Sequence, residues 1–296
     1  MPSKHILAGF PVYYEMLLRL WHTSLSAAVT LCDQLMDGFD DRAFHRESFK
    51  SDTLFNNNGN VFRSNLGTLK FRGDSIFKNN WWLALDNEGK DAYVRFSKTA
   101  TFDNNAGSFD GAGGCGVANG EGTVIFRGDA NFLNHRCGEG AAVLNGGKMT
   151  FYGKAYFDDN KSFNDWGGGV RNTAGNLLFK GAVQFNNNEA EYGGGIAVTG
   201  GEVTFNKAVQ FDTNGADFSG GAFALTFGGP YGTLNPEVGP GVLTFKKPDV
   251  VRVSDNFVVD RQNKDEPVTR CTLGYVQEGT TLVGFDFDDV CVEDTV

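Results

Sequence analysis

The sequence has few cysteines, only five in 296 residues. They are Cys32, Cys115, Cys137, Cys271 and Cys291, and no two of them form a C-x-x-C pair. Cysteines this few and this widely spaced exclude a disulfide-dense scaffold. A single Cys271–Cys291 bridge across the C-terminal segment is an open alternative to free thiols, and it requires an oxidising compartment.

A long uninterrupted apolar run is also missing. The most apolar stretch, 6–32, is broken by Glu15, Arg19 and His22, and no small-residue cleavage site follows it. A membrane-spanning helix needs about 20 nearly continuous apolar residues, so the sequence predicts no transmembrane span and contains no clean signal peptide. The spacing of apolar residues between Tyr14 and Leu25 is instead compatible with an amphipathic helix.

Positive charge is scarce relative to negative charge. Lys and Arg number 26 against 36 Asp and Glu, so the formal net charge is −10 and the pI is about 4.9. This balance argues against nucleic acid and anionic membranes as partners. A cation, a basic protein or a neutral glycan suits such a surface better, but ordinary solubility is the simpler explanation of the charge and is favoured here.

Phenylalanine and glycine are unusually abundant, with 27 and 40 residues respectively. The phenylalanines recur in an ordered unit, an apolar-x-Phe triplet followed six residues later by a second Phe. The first Phe of each unit is Phe71, Phe96, Phe126, Phe151, Phe179, Phe205 or Phe245, at spacings of 25, 30, 25, 28, 26 and 40 residues. A period of this length is typical of solenoid architectures.

Each unit reads as three short strands. Apolar residues two apart place both side chains on one face of a strand, and a glycine run opens a third strand, as at Gly193–Gly195 before Ile196. No stretch within a unit is long enough for the helical crossover of a Rossmann-type fold. We therefore predict an all-β, right-handed parallel β-helix of about seven coils, each with three short strands.

Stacked coils explain the repeated residue types. Coils about 4.8 Å apart place each Phe over its equivalent, which predicts two internal aromatic columns. An asparagine recurs three residues after the second Phe and predicts a structural ladder of hydrogen bonds. Its members are Asn80, Asn105, Asn160, Asn188 and Asn214, with Asn134–His135 filling the slot in the third coil.

The predicted organisation has three parts. Residues 1–50 form an N-terminal helical cap, 54–256 the β-helix and 257–296 a C-terminal β cap that reads as antiparallel strands. Both caps protect the unpaired edges at the ends of the solenoid. The Pro- and Gly-rich insertion 227–241 accounts for the 40-residue spacing in the last coil.

Alternating Phe-x-x-Asn and Gly-Gly-apolar motifs resemble the repeats of the chlamydial polymorphic outer-membrane proteins. The matching pairs are FDNN with GGCGV, FDDN with GGGV, FNNN with GGGI, and FDTN with GGAF, between Phe77 and Leu225. The resemblance implies a surface-exposed or extracellular right-handed β-helix with an adhesive role. The chain departs from that family because only about 40 residues follow Asn256, too few for a C-terminal membrane barrel.

A candidate ligand site precedes the glycines of five successive coils. An acidic residue stands there each time, and in three coils an aromatic residue follows it; the eight residues are Asp110, Glu139, Asp165, Glu191, Asp217, Trp166, Tyr192 and Phe218. Stacked carboxylates repel one another and must face water or a counter-ion. We hypothesise a strip that binds a glycan or a protein surface, with weak Ca²⁺ binding and no other cofactor. The competing interpretation is a solvated corner whose aromatics pack against the next coil.

An enzyme on the same fold is the alternative function. Polysaccharide lyases, hydrolases and uronan epimerases need clustered acids with a basic or histidine partner. The only histidine in the repeats, His135, occupies a ladder slot, and Arg171 near Asp165 and Glu139 is the one mixed constellation. We therefore assign no catalytic residue and favour a non-enzymatic adhesion or ligand-binding module, because fold analogy alone supplies no activity.

Overall fold

A computed structural model of the chain describes residues 29–32, 39–40, 46–57, 62–64, 67–81, 83–106, 115–138, 140, 142–163, 166–226, 239–247, 251–258, 274–277, 280–284 and 290–293. All regular secondary structure in these residues is β-strand. None of these residues belongs to a helix with the length and apolarity needed to cross a membrane. The helix predicted between Tyr14 and Leu25 lies outside the described residues.

The strands are short, from two to five residues, and follow one another at close intervals along the chain. The first sixteen are β1 (Val29–Cys32), β2 (Phe39–Asp40), β3 (Arg46–Phe49), β4 (Thr53–Asn56), β5 (Phe62–Ser64), β6 (Thr68–Phe71), β7 (Ser75–Lys78), β8 (Leu85–Asn87), β9 (Tyr93–Phe96), β10 (Ala100–Asp103), β11 (Val117–Asn119), β12 (Thr123–Phe126), β13 (Ala130–Leu133), β14 (Arg136–Cys137), β15 (Val143–Asn145) and β16 (Lys148–Phe151). The remainder are β17 (Ala155–Asp158), β18 (Lys161–Ser162), β19 (Val170–Asn172), β20 (Asn176–Phe179), β21 (Val183–Asn186), β22 (Glu189–Tyr192), β23 (Ile196–Val198), β24 (Glu202–Phe205), β25 (Val209–Asp212), β26 (Gly215–Ser219), β27 (Phe223–Leu225), β28 (Val242–Phe245), β29 (Val251–Ser254), β30 (Phe257–Val258), β31 (Gly274–Gln277), β32 (Thr281–Val283) and β33 (Val290–Glu293).

These strands form four parallel sheets that run the length of a solenoid. Sheet A has the order β1-β4-β7-β10-β13-β17-β21-β25-β29, and sheet B has the order β2-β5-β8-β11-β15-β19-β23-β27-β31-β33. Sheet C has the order β3-β6-β9-β12-β16-β20-β24-β28-β32, and sheet D is shorter, β14-β18-β22-β26-β30. Neighbours in a sheet are one coil apart in the chain, so the predicted parallel β-solenoid is confirmed. Sheet D is an addition, because the sequence predicted only three strands per coil.

Two columns of phenylalanine rings fill the interior. Phe71, at the end of β6, pairs in register with Phe96, and the pairing continues from coil to coil as far as Phe245. Rings within a column stack at centroid distances of 4.6 to 5.2 Å, and rings of facing columns meet edge to face at 5.7 to 6.4 Å. Parallel pairing in register places like residues above one another, so the predicted aromatic columns are confirmed.

The corner after sheet A depends on two consecutive residues in every coil. The first adopts a left-handed backbone with φ between 50° and 59°, as at Asn79, Asn104, Asn134 and Asn187. Asparagine tolerates this region better than most residues. The second residue is the ladder residue, an asparagine except at His135, and the Nδ2 group of Asn160, for example, donates to Asn188 Oδ1 at 2.9 Å. The predicted asparagine ladder is therefore confirmed.

A second ladder, which the sequence did not predict, ends the strands of sheet B. Asn87, Asn119, Asn145 and Asn172 are all buried, and each Nδ2 group of the first three donates to the next Oδ1 at 2.7 to 2.8 Å. These residues stand at the turns between sheet B and sheet C. Two internal amide ladders thus pair buried polar groups at two corners of the coils that contain them.

The corner from sheet C to sheet A, which we name the C–A corner, is a three-residue connection in most coils. It comprises residues 50–52, 72–74, 97–99, 127–129, 152–154, 180–182, 206–208 and 246–247. The first amide of each corner donates to the carbonyl of the phenylalanine one coil earlier, as from Lys180 to Phe151 at 2.7 Å. Successive C–A corners therefore stack in register along the molecule.

The parallel sheets extend into both segments that the sequence predicted to be caps. Strands β1 to β3 fall within 1–50 and pair in parallel with β4 to β6, so the sheets extend upstream of residue 54. The prediction of antiparallel strands after Asn256 is wrong, because β31, β32 and β33 all pair in parallel with the preceding coil. Each of these strands adds to the edge of an existing parallel sheet. The backbone N–H and C=O groups of that edge strand can pair with a further parallel strand.

Candidate functional site

Sheet D and the glycine corner that follows it contain the aromatic residues of the predicted site. β22 ends at Tyr192, and Gly193 then turns the chain into β23 with φ of 63°. A Cβ at Gly193 would lie 2.5 Å from the Ile196 carbonyl oxygen, so only glycine fits this turn. The predicted glycine corner thus fixes where the aromatic residues stand relative to sheet B.

Three aromatic rings from successive coils form a row, which we name the aromatic row. The centroids of Trp166 and Tyr192 are 4.2 Å apart with an interplanar angle of 16°, and those of Tyr192 and Phe218 are 5.2 Å apart with an angle of 21°. Trp166 also forms an isolated parallel bridge with Tyr192. The structure therefore brings together the three aromatic residues that the sequence singled out.

A β-bulge explains why the last coil of the row is offset. Glu189 pairs with Gly215 and Ala190 with Ala216, but Tyr192 pairs with Ser219. Asp217 and Phe218 together therefore oppose the single residue Glu191. The sequence spacing already indicated this offset, because Asp217 stands one residue further from its following strand than Glu191 does.

The row covers part of the outer face of sheet B. Trp166 is only 6% exposed and packs with Ala197 and Ala224, while Tyr192 and Phe218 are half-buried. Alanine at those two positions leaves room for the rings above them. Trp166 is consequently part of a small packed cluster, whereas Tyr192 and Phe218 keep part of their surface exposed to solvent.

The predicted carboxylates are only partly placed. Glu191 and Asp217 are half-buried on β22 and β26, and each has interaction partners within the protein. Asp110, Glu139 and Asp165 lie outside the described residues. Across the part of the chain that the structure describes, no group of three or more His, Cys, Asp or Glu side chains is arranged to hold a metal ion.

Stacking limits what the aromatic row can bind. Both faces of the Tyr192 ring are covered, one by Trp166 and the other by Phe218. A sugar cannot lie flat on that ring, so a ligand meets ring edges, the Tyr192 hydroxyl and neighbouring carboxylates. Such groups donate and accept hydrogen bonds at the rim of an apolar strip, which suits a hydroxyl-rich glycan or a polar protein surface.

Arg171, the one basic residue of the candidate mixed constellation, is 3% exposed on β19. A Cβ added to Gly140 would lie 3.0 Å from the Cβ atom of Arg171. Arg171 therefore lies beside the backbone that follows Glu139. The two acids proposed to accompany it, Glu139 and Asp165, lie outside the described residues. Arg171 itself is engaged with other groups of the protein.

His135 is buried within the first asparagine ladder. Its Nδ1 atom lies 3.1 Å from the backbone nitrogen of Asn105, and its own amide donates to Asn160 Oδ1 at 3.1 Å. Burial lowers the pKa of His135 to about 4, a shift that Arg136 reinforces and that the Asn105 backbone and Asp103 oppose. His135 therefore replaces an asparagine in the ladder and offers no solvent-exposed acid or base.

Acidification is expected to destabilise the protein through His135. The folded pKa of about 4 lies below the ordinary value of 6.5, so the unfolded state binds the proton first as the pH falls between those values. Neutral His135 therefore contributes its full stability above pH 6.5. The free energy of unfolding falls by about 3 kcal/mol between that pH and pH 4. Unfolding midpoints measured between pH 4 and pH 7.5 test this expectation.

The control for this pH dependence is His135→Asn, which restores the residue found at the other ladder positions. This variant is expected to lack the His135 component of the slope between pH 4 and pH 6.5. Equal slopes in the two proteins would contradict the assignment of the effect to His135.

A disulfide joins Cys115 to Cys137, and the sequence did not indicate it. Their Cα atoms are 6.1 Å apart, 22 residues apart in the chain, and both side chains are buried. The bond links adjacent coils where β11 and sheet D begin. The sequence also left open a pairing of Cys271 with Cys291, and Cys271 lies outside the described residues.

Comparison of the chain with protein-family models, with curated proteins and with solved structures found no match. The site must therefore be interpreted from its own geometry and chemistry.

Proposed function

We propose that this chain is a non-enzymatic binding or adhesion module that acts outside the cell or at its surface. The aromatic row carries the proposal, because the rings of three successive coils stack in a line and the half-buried carboxylates Glu191 and Asp217 accompany the two rings that keep exposed surface. A repeating surface suits a ligand with repeating groups, such as a glycan, or an extended protein segment. The Cys115–Cys137 disulfide supports an oxidising location, since such bonds persist mainly outside the cytosol.

The finer architecture and the family relationship belong to the same proposal. We infer a right-handed solenoid, since parallel crossovers are right-handed in about 98% of cases, with about seven coils over 54–256. The resemblance of the Phe-x-x-Asn and Gly-Gly-apolar motifs to chlamydial polymorphic outer-membrane protein repeats supports an adhesive role. Two of the paired motifs, FNNN with GGGI and FDTN with GGAF, flank Tyr192 and Phe218 of the aromatic row.

Weak Ca²⁺ binding by Glu191, Asp217 and Asp165 is an accessory part of the proposal. Carboxylate oxygens are suitable calcium ligands, and the backbones of neighbouring strands such as β22 and β26 lie about 4.8 Å apart, which allows side chains of adjacent coils to share one ion. Calorimetric titration of the whole chain with calcium chloride should give heat that is reduced in Glu191→Gln. A titration without heat would remove calcium from the proposal and leave the aromatic row unaffected.

Replacing Tyr192 with alanine is expected to reduce ligand binding at least tenfold, because the variant loses both the ring edge and the hydroxyl at the centre of the row. The measurement is a glycan-array screen of the whole chain, followed by titration of the best ligand. Tyr192 is preferable to Trp166 for this purpose, since truncation of the buried Trp166 would also disturb folding.

The matched control is Tyr156→Ala. Tyr156 is also half-buried, lies on the outer side of sheet A and accepts a hydrogen bond from Asn186. Equal losses in the two variants would refute a role for the aromatic row. A parallel activity screen on uronans and pectin addresses the enzymatic alternative, and turnover of either substrate would overturn the non-enzymatic assignment.

A further inference from the structure

The C–A corner carries a concentration of positive charge that the acidic composition conceals. Lys and Arg occupy nine of its described positions, with at least one in every corner from 50–52 to 246–247, against three aspartates. A fourth aspartate, Asp249, belongs to the same connection between β28 and β29 but lies outside the described residues. With Asp249 included the corner has a formal charge of +5, while the chain as a whole has −10. The remaining residues carry −15, so the charge of the molecule is strongly divided.

The cations of this corner are accessible. Eight of the nine are exposed, and Lys180 is half-buried. Among the described residues, the ion pairs are Lys78–Asp103, Arg136–Asp159 and Lys161–Glu189, none of which involves a cation of the C–A corner. The basic groups are thus not neutralised by carboxylates of the described protein.

The three described aspartates of the corner have a structural use. Oδ1 of Asp52 accepts the amide of Asp74 at 2.8 Å, Oδ1 of Asp74 accepts that of Thr99 at 3.0 Å, and Oδ1 of Asp129 accepts that of Lys154 at 2.8 Å. Each carboxylate therefore bonds to the backbone of the next coil. These contacts hold the stacked corners together and leave the cationic side chains directed outward.

Two of the cations are held in place by an aromatic ring. The Arg127 guanidinium lies 4.0 Å from the centroid of the Tyr152 ring, and Lys180 Nζ lies 4.4 Å from the same centroid. These residues come from the coils before and after Tyr152. The cation–π contacts restrict both side chains, so less conformational entropy is lost when an anion binds.

The row of cations extends along most of sheet C. Its eight corners follow eight consecutive strands of sheet C, which at about 4.8 Å per strand gives a length of about 34 Å. One cation in every coil matches a polymer that carries anionic groups along a single extended chain. A wide anionic surface would instead lie within a Debye length, about 8 Å, of the acidic residues outside the C–A corner. Those residues would repel it.

We propose that the C–A corner binds a linear acidic polysaccharide along the solenoid axis. A sulfated or carboxylated glycan has anionic groups in a single line, and the corner has cations in a single line. Arg127 and Lys180 are already held in place by the Tyr152 ring. Single-stranded nucleic acid fits less well, because the Tyr152 ring has a cation near each face and offers no stacking platform for bases. A bilayer also fits less well, since the exposed large apolar side chains of the described residues lie outside the C–A corner.

This inference concerns a different surface from the proposed function. Along the coil, sheet A and sheet D separate the C–A corner from the aromatic row. Removing three cations with Lys98→Gln, Arg127→Gln and Lys154→Gln should therefore weaken polyanion binding without affecting the Tyr192-dependent ligand. The matched control removes three exposed cations elsewhere, with Lys90→Gln, Lys148→Gln and Arg252→Gln, so that the net charge is the same.

The experiment titrates size-defined dextran sulfate against the whole chain at several salt concentrations, with neutral dextran of equal length as reference. We expect binding to dextran sulfate only, a loss of about 30-fold or more in the corner variant and less than twofold in the control. The slope of log Kd against log salt should decrease by about two to three, one for each lost contact. Far-ultraviolet circular dichroism and the unfolding midpoint verify that both variants fold.

Several results would overturn the inference. Equal losses in the corner and control variants would indicate a response to net charge alone. Failure to bind dextran sulfate would exclude a polyanion site, and equal or tighter binding of oligo(dT) or of phosphatidylserine vesicles would assign the surface to another class of partner. Binding that is lost in Tyr192→Ala but unchanged in the corner variant would support the proposed function and reject this one.

Discussion

Replacing Phe157 with alanine is expected to lower the free energy of unfolding by about 4 kcal/mol, as for other large aromatic truncations in packed cores. The Phe157 ring is fully buried and stacks on Phe132 and Phe185, each at a centroid distance of 4.9 Å. It also meets Phe151 and Phe179 edge to face, at 6.2 and 6.3 Å. Parallel sheets on all sides prevent the cavity from collapsing. Urea denaturation monitored by circular dichroism at pH 7 measures the loss.

Tyr156 provides the matched control, because it precedes Phe157 on β17 and points to the opposite face of sheet A. Tyr156→Ala is expected to cost about 1 kcal/mol or less, in the range of surface substitutions. If Tyr156→Ala and Phe157→Ala lowered stability equally, the assignment of Phe157 to the interior column would be wrong.

Replacing Asn188 with alanine is expected to cost about 3 kcal/mol, because the substitution leaves buried partners without hydrogen bonds. Asn188 Oδ1 accepts from the backbone nitrogen and the Nδ2 group of Asn160, at 3.2 and 2.9 Å. Asn188 Nδ2 donates to the Phe157 carbonyl and to Asn214 Oδ1, at 3.0 and 2.9 Å. The Asn160 amide and the Phe157 carbonyl lose these partners in an interior that excludes water. The same denaturation experiment reports the effect.

Gln184→Ala serves as the reference for the loss of a side-chain amide. Gln184 is exposed on β21 and contacts Gln210 at 3.5 Å, so its truncation is expected to change stability by about 0.5 kcal/mol or less. A cost for Asn188→Ala as small as that for Gln184→Ala would show that the ladder contributes little. It would also require another source of order at the corner after sheet A.

Both large effects follow from the way a solenoid distributes its contacts. Each coil packs only on its two neighbours, so stability is approximately a sum of coil and interface terms. Phe157 and Asn188 lie in the middle of their columns and take part in two interfaces each.

The sequence was most informative where one residue type recurs at one position of the coil. Phe126 pairs with Phe151, and Val170 with Ile196, as the periodicity implies. Parallel pairing in register places equivalent positions above one another, and a shift by one residue would turn every core side chain outward. For that reason the parallel solenoid, the phenylalanine columns and the first asparagine ladder were all predictable.

The candidate site was predictable only in part. The aromatics at 166, 192 and 218 precede glycine corners of known spacing, so their proximity followed from the repeat. Their exposure did not follow, because whether Trp166 lies over Ala197 and Ala224 depends on how the corner folds back onto sheet B. The sequence did not predict the basic C–A corner, for a different reason. Its lysines and arginines are divided among the three corner positions, five at the first, three at the second and one at the third, so the charge is continuous only when the corners are stacked.

By itself the sequence determined the stacking of this protein, because the repeating phenylalanines and asparagines gain their packing and hydrogen bonds only when equivalent positions lie in register. Only the tertiary structure decided which surfaces those stacked coils create. Sheet D, the Cys115–Cys137 bond, the parallel C-terminal strands and the line of cations along the C–A corner all arise from contacts between residues about one coil apart or more. Such contacts depend on the path of the backbone at each corner, and that path is set by packing across coils rather than by local residue preference.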